Sequence, residues 1–346
     1  MTQERLFLAV TGSGLARAEC DMTGNWLVDH LLEGQDVRCM AADPLNRGVV
    51  YAGTQGNGVL VSRDMGQSWK TAGLAGHIVK SLAVSQHEPG VIYAGTKPAC
   101  VFITRDGGGN WAELTGFRRI RGRRWWRSPA EPPDWRAYVQ AISISPVDPH
   151  VIVAGIEFGA VVRSVDGGQS WSNHRKGAVR DCHSLTFHAR SGDWVYEAGG
   201  GGAAVSRDGG HSWQQPRQGL DRRYAWACAA DPEHPEVWYI SAGPFGWKGT
   251  PQAHVDGAAN SYIYRKSAGA PWERLSGGLP QPLDYMAYAL LTDPDAAGHL
   301  YAGLSNGEVW QSADYGDTWH SLPFNLGRIQ RLIMLGGIGV VHQDGG

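Results

Sequence analysis

The sequence predicts an all-β fold, a seven-bladed propeller of four-stranded antiparallel blades, on three observations. Glycine (48) and tryptophan (15) are abundant in 346 residues. No stretch carries the apolar spacing of a long helix, a balance that favours short strands joined by tight turns. One eight-residue pattern, S/T-x-D-x-G-x-S/T/N-W, recurs along the whole chain. The two ends complement each other, one offering a first strand and the other lacking one.

The pattern occurs as "SRDMGQSW" (62–69), "TRDGGGNW" (104–111), "SVDGGQSW" (164–171), "SRDGGHSW" (206–213) and "SADYGDTW" (312–319). Two worn copies complete the series: "ECDMTGNW" (19–26) keeps Asp21 and Trp26, and "RKSAGAPW" (265–272) has Ser267 in place of the aspartate. Each copy is preceded by a strand ending in small residues, such as "VVYAGT" (49–54), "VIYAGT" (91–96) and "LYAGLS" (300–305). Before that lies another strand and a turn, as in "VRCMAADP" (37–44). A third strand leads into the box and a fourth starts at its Trp, giving four short strands per repeat. Asp208, His211 and Ser212 in "SRDGGHSW" resemble a catalytic cluster. A set needed at seven places is architecture: the Asp accepts backbone N–H groups of its own turn, the Gly takes a positive φ, and the Trp buries surface.

"RIQRLIML" (328–335) reads as a first strand with no box after it, and "RLFLAVTGS" (5–13) as a second strand with no first. Pairing them completes the blade of Asp21 and closes the ring, so residues 1–346 form one domain. The net charge of -2 gives no whole-protein argument for nucleic acid or an anionic membrane, and neither partner is expected. Five scattered cysteines without a CxxC pair read as free thiols of a reducing compartment. No signal peptide or membrane-spanning stretch is read, and a cytoplasmic protein is expected.

The boxes resemble the Asp-box (BNR) repeat of sialidases, sortilin-type receptors, photosystem II stability factors and xyloglucan-active glycosidases. The resemblance covers nearly the whole chain and implies the propeller fold. It matches no single family closely. "FRRI" (117–120) lacks the proline of the sialidase "FRIP" motif, and Gln55 stands where the xyloglucan-active enzymes place a catalytic aspartate.

Two spacings exceed the repeat norm, through insertions at 113–138 and 243–264, both expected on the face opposite the boxes. Loops of this length are often lids or binding loops. The first holds Arg123, Arg124, Trp125 and Trp126. These could clamp an anion or stack a ring, or the tryptophans could fold back on the propeller while the arginines stay in water. Aligning the first strands gives a ring of Arg38, Lys80, Gln140, His183, Trp226, Tyr288 and Gln330 near the channel mouth. Asp36, Tyr138, Asp181, Tyr224 and Arg328 stand just above. Box positions barely vary, whereas this ring differs in every blade, which is how a symmetric scaffold makes an asymmetric pocket. Strand starts tolerating polar residues near water would give the same pattern. Trp247 and His254 of the second insertion face the same region.

Asp181, His183 and Glu157 are the candidate acid–base residues. No ligand spacing supports a metal centre, and no cofactor is expected. Two readings follow. One is a glycosidase- or lyase-type enzyme acting on a small polar or anionic molecule, carbohydrate included, in a lidded pocket. The other is a non-enzymatic propeller that binds a ligand or protein through the Arg/Trp insertion. Oligomeric state is not legible.

Overall fold

In the computed structural model, which describes residues 5–21, 23–131, 133–245 and 252–336, seven antiparallel sheets form a closed ring. The first strand of each repeat is innermost. These are Val37–Ala42, Ile78–Val84, Val139–Ile144, Cys182–His188, Tyr224–Ala230, Ala287–Thr292 and Arg331–Leu335, and each touches the next around the circle. Five sheets are four-stranded. In the other two the outer segment is held by isolated bonds instead of a ladder, such as Ser172 N to Arg163 O at 2.8 Å and the two reciprocal bonds of the Val205–Gln214 bridge. Among the described residues no helix is long and apolar enough to cross a membrane.

The ring closes as the ends require. Arg331–Leu335 lies antiparallel to Leu6–Val10, with Leu6 opposite Leu335 and Val10 opposite Arg331. The seam is an apolar cluster in which Phe7, Ala9, Ile329 and Leu332 meet Tyr301, Leu322 and Leu326 of the last repeat.

The small pair ending each second strand is explained by blade contacts. A β-carbon on Gly53 would lie 2.6 Å from Val79, and one on Gly95 would lie 2.6 Å from Val139, each valine belonging to the next blade. Only glycine lets the neighbouring inner strand approach that closely.

The repeated octapeptide folds into one turn. Asp64 Oδ1 accepts from Ser68 N (2.9 Å), while Ser62 Oγ donates to Asp64 Oδ1 (2.6 Å) and accepts from Gly66 N (2.8 Å). Asp106, Asp166, Asp208 and Asp314 repeat this geometry. Two successive residues take positive φ, Met65 (60°) and Gly66 (86°) in the first full copy. The indole N–H of Trp69, Trp171, Trp213 and Trp319 donates to the carbonyl of its own turn's glycine, while Trp111 donates to Ala72 O. Among the described residues His211 is bonded only through its backbone, its N–H donating to Asp208 O at 3.3 Å and its carbonyl accepting from Arg175. The turn is thus satisfied within itself.

These bonds hold the Asp64 carboxyl at about 2, the Ser62 hydroxyl contributing most. A folded pKa below the unfolded value of ~3.9 means stability that is present above that value and lost as pH falls toward 2. Asp208→Ala is expected to cost about 1–2 kcal/mol at neutral pH, because three bonds are lost at a solvent-facing turn. The Asp208 carboxyl is likewise held below its ordinary range, so the difference from wild type should shrink as pH falls below about 4. Thermal denaturation of both chains across that range checks this. A difference that grows with acid would mean that the turn carboxylates are not what acid removes.

Candidate functional site at the channel mouth

The inner strands begin with a common irregularity. Between Val37 and Cys39 the pairing slips by one residue, leaving Arg38 unpaired, and the same slip frees Lys80, Gln140, His183 and Tyr288. Between Ala225 and Cys228 it frees Trp226 and Ala227. A bulge bends its strand and re-aims the extra side chain. Six of the seven aligned residues, all but Gln330, therefore sit at bulges, and the backbone itself re-aims these groups.

Arg38, Lys80, Gln140, Trp226, Tyr288 and Gln330 line one cavity of about 330 Å³, with Tyr138, Tyr224, Glu157, His254 and Arg328. His183 lies beneath it, 1% exposed, its ring 4.5 Å from Trp226 and 4.9 Å from Tyr224. Asp181 and Glu157 join it: His183 Nε2 is 3.6 Å from Asp181 Oδ2 and 3.8 Å from Glu157 Oε2. The three candidate acid–base residues thus come together, from two adjacent blades. Burial raises the Asp181 carboxyl to about 6, and burial with the Asp181 charge raises Glu157 further above the carboxylate range. Burial lowers His183 to about 3, so its imidazole is neutral.

Both insertions reach the mouth. From the second, His254 bridges the hydroxyls of Tyr224 (2.7 Å) and Tyr288 (2.6 Å), and Asp256 pairs with Arg328 at 2.9 Å. With both ring nitrogens engaged, His254 has no free ligand atom for a metal. Trp247 lies outside the described residues.

From the first insertion the contributor is Glu131, which Lys80 contacts closely and which Lys97 meets at 2.8 Å. Burial opposes its ionisation, but the two ammonium groups outweigh burial and hold its carboxyl below the ordinary range. The ammonium of Lys80 also lies 4.6 Å over the Tyr138 ring. The arginines and tryptophans of this insertion go elsewhere. Arg123, Arg124 and Trp126 line a separate groove with Arg127 and Arg136. Trp126 is 8% exposed and packs on Phe117 in the blade core, so for this residue the fold-back alternative holds. Trp125 is 73% exposed with Arg124 over its ring.

Sequence reasoning missed Arg331. The ring alignment stopped at Gln330, but Gln330 N bonds Val10 O (2.8 Å) while Arg331 pairs with Val10, so both face the cavity. A signal was present: at the position after the ring residue the other blades carry Cys39, Ser81, Ala141, Ser184, Ala227 and Ala289, and only this blade carries a long cation. Arg38, Lys80 and Arg328 are each paired with a carboxylate, whereas Arg331 makes no ion pair among the described residues. Its guanidinium donates to Gln330 O at 3.3 Å and lies 5.9 Å from the Trp226 ring.

Similar folds occur in proteins of unlike activity. An ancestral GH74 enzyme superposes with a TM-score of 0.63 at 21% identity, over 84% of this chain and 38% of that one. The GH74 xyloglucanase of Xanthomonas campestris gives 0.58 at 18%, over 92% and 47%. YCF48 bound to D1 peptide gives 0.59 at 14%, over 99% and 97%. What is shared is the fold. The chain spans less than half the length of either GH74 structure. No family model and no curated protein matches it.

Proposed function

We propose that the channel-mouth cavity binds a small polar ring, a carbohydrate or a carboxylated ring, and that Glu157, Asp181 and His183 at its floor act on it in a hydrolase- or lyase-type reaction. The observation that carries this reading is a convergence of unsatisfied groups. Arg38 Nε, Glu157 Oε2, Asp181 Oδ1, His183 Nε2 and Trp226 Nε1 are all buried without a partner among the described residues. Buried polar atoms are nearly always bonded, so five orphans around one cavity point to a ligand that completes them. Trp226, Tyr224 and Tyr288 supply stacking faces, and Arg331 supplies a charge that no carboxylate among the described residues pairs with. A cavity with an aromatic wall and a few convergent polar groups suits a small ligand. The free cysteines support a reducing, cytoplasmic setting for it.

A second reading rests on the exposed Trp125 and Trp135 beside Arg124, Arg127 and Arg136, a surface suited to a protein partner. The test of the first is a panel of neutral sugars, uronic acids and their oligomers, scored by thermal shift and calorimetry against wild type and Trp226→Ala. Saturable binding lost in Trp226→Ala is the expected result. A panel without any binder, or binders indifferent to Trp226, overturns it.

A further inference from the structure

Glu157, Asp181 and His183 each aim a ligand atom at a common point, and these atoms all lie within 4.8 Å of one another. Their side chains are 5%, 14% and 0% exposed. His183 Nδ1 is 2.7 Å from Ala225 O. A carbonyl can only accept, so Nδ1 carries the proton and Nε2 presents its lone pair to the two carboxyl groups. Nε2 and Glu157 Oε2 both lack partners among the described residues. An imidazole nitrogen and two carboxyl groups therefore converge in a buried place with no hydrogen bond between them.

We propose that these three side chains form a divalent-cation site in the floor of the cavity. Ligand atoms about 2.1 Å from one ion lie roughly 3.0–3.4 Å apart at octahedral or tetrahedral angles. The observed 3.6 and 3.8 Å from His183 come within a few tenths of an ångström of the tetrahedral separation, and the two carboxylates, within 4.8 Å of each other, would draw together around the ion. Those separations are too long for hydrogen bonds, so a proton shared between His183 and either carboxyl does not account for the arrangement. The Nδ1–H to carbonyl bond is the outer contact that fixes the tautomer and ring angle of a metal-bound histidine. One nitrogen with two carboxylates suits a borderline first-row ion such as Mn²⁺ or Zn²⁺ better than Ca²⁺ or Mg²⁺, which take oxygen. Two carboxylates offset the ion's charge, so Arg331, which acts on Glu157 from across the channel, remains available to an anion. Glu157 lines the cavity, so an ion here keeps an open side toward it.

The inference extends the pocket reading but is tested without any ring ligand. The full chain is stripped with chelator and titrated with Mn²⁺ alone and Zn²⁺ alone, by calorimetry and by the Mn²⁺ paramagnetic resonance signal. One ion per chain is expected, with a rise in melting temperature. Glu157→Gln and Asp181→Asn keep volume and should fold. Each should weaken binding at least tenfold and abolish the thermal shift. His211→Ala, an exposed histidine of a box turn, should change neither. If His183→Ala does not fold, the two isosteric variants decide alone. A folded wild-type chain that binds neither ion, or binding unchanged in Glu157→Gln and Asp181→Asn, overturns the site. Ring binding could survive that result, and ion binding could survive an empty sugar panel, so the two failures are distinguishable.

Discussion

A chain ending at Gly327 is expected to lose its single cooperative unfolding transition and to aggregate. The missing strand, Arg331–Leu335, is the innermost of its sheet, and Leu6–Val10 pairs with it along its full length. Without it, five successive residues buried to 3% or less, Leu6 to Val10, offer an unpaired apolar edge. Such an edge is a template for pairing with another chain. The damage spreads because the same strand contacts the inner strands at Ala287–Thr292 and Val37–Ala42. Removing it leaves an open arc of six blades with two raw ends. Leu332→Ala is the graded version: Leu332 is 4% exposed in the seam, and its truncation should cost about 2–5 kcal/mol. Size-exclusion chromatography and calorimetry would be run on chains ending at Gly327 and at Gly336, the latter retaining the strand. Adding a peptide of residues 328–336 to the shorter chain should restore part of its solubility by strand addition. A monomeric Gly327 chain that melts within a few degrees of wild type would mean that the ring does not depend on this closure.

How far the sequence could be read follows from what repeats. Seven copies of one turn make its residue types visible, because Asp64, Asp106, Asp166, Asp208 and Asp314 meet the same backbone demand. The ring of Arg38, Lys80, Gln140, His183, Trp226, Tyr288 and Gln330 was legible by alignment alone, since each stands at the start of its blade's inner strand, six of them at a bulge. What distinguishes the pocket does not repeat. Glu131 reaches the mouth because the insertion doubles back, and nothing in its neighbours' spacing encodes the meeting with Lys80 and Lys97. Glu157 follows a second strand while Asp181 and His183 open the next blade's first strand, so their closeness is a property of blade packing. The Arg/Trp-rich stretch drew attention by composition. Composition could not say that Trp126 would pack inward beside Phe117 while Trp125 stays in water.

Arg331→Ala and Trp226→Ala should each remove most ligand binding, whereas a triple Arg123/Arg124/Arg127→Ala chain should stay within about threefold of wild type. Arg331 is the cavity cation without a carboxylate partner among the described residues, so a bound anion would receive its bond with little competition. A charge-assisted bond of that kind is worth about 1.5–3 kcal/mol, which is roughly a 10- to 150-fold loss. Loss of the Trp226 face removes stacking and an indole donor without a partner among the described residues, for about tenfold or more. Arg38→Ala should cost less, because its guanidinium is already paired with Asp36 at 2.9 Å. Salt separates the pocket from the insertion. Arg331 lies inside the channel, where counterions screen poorly, so affinity should change little between 50 mM and 500 mM salt. Binding through the exposed arginines of the insertion would fall steeply over the same range, since a Debye length of ~10 Å at 0.1 M screens charges in open water. Should the triple variant lose binding in a salt-dependent way while Arg331→Ala keeps it, the working surface is the insertion. The propeller would then be a docking module whose cavity plays no part in recognition.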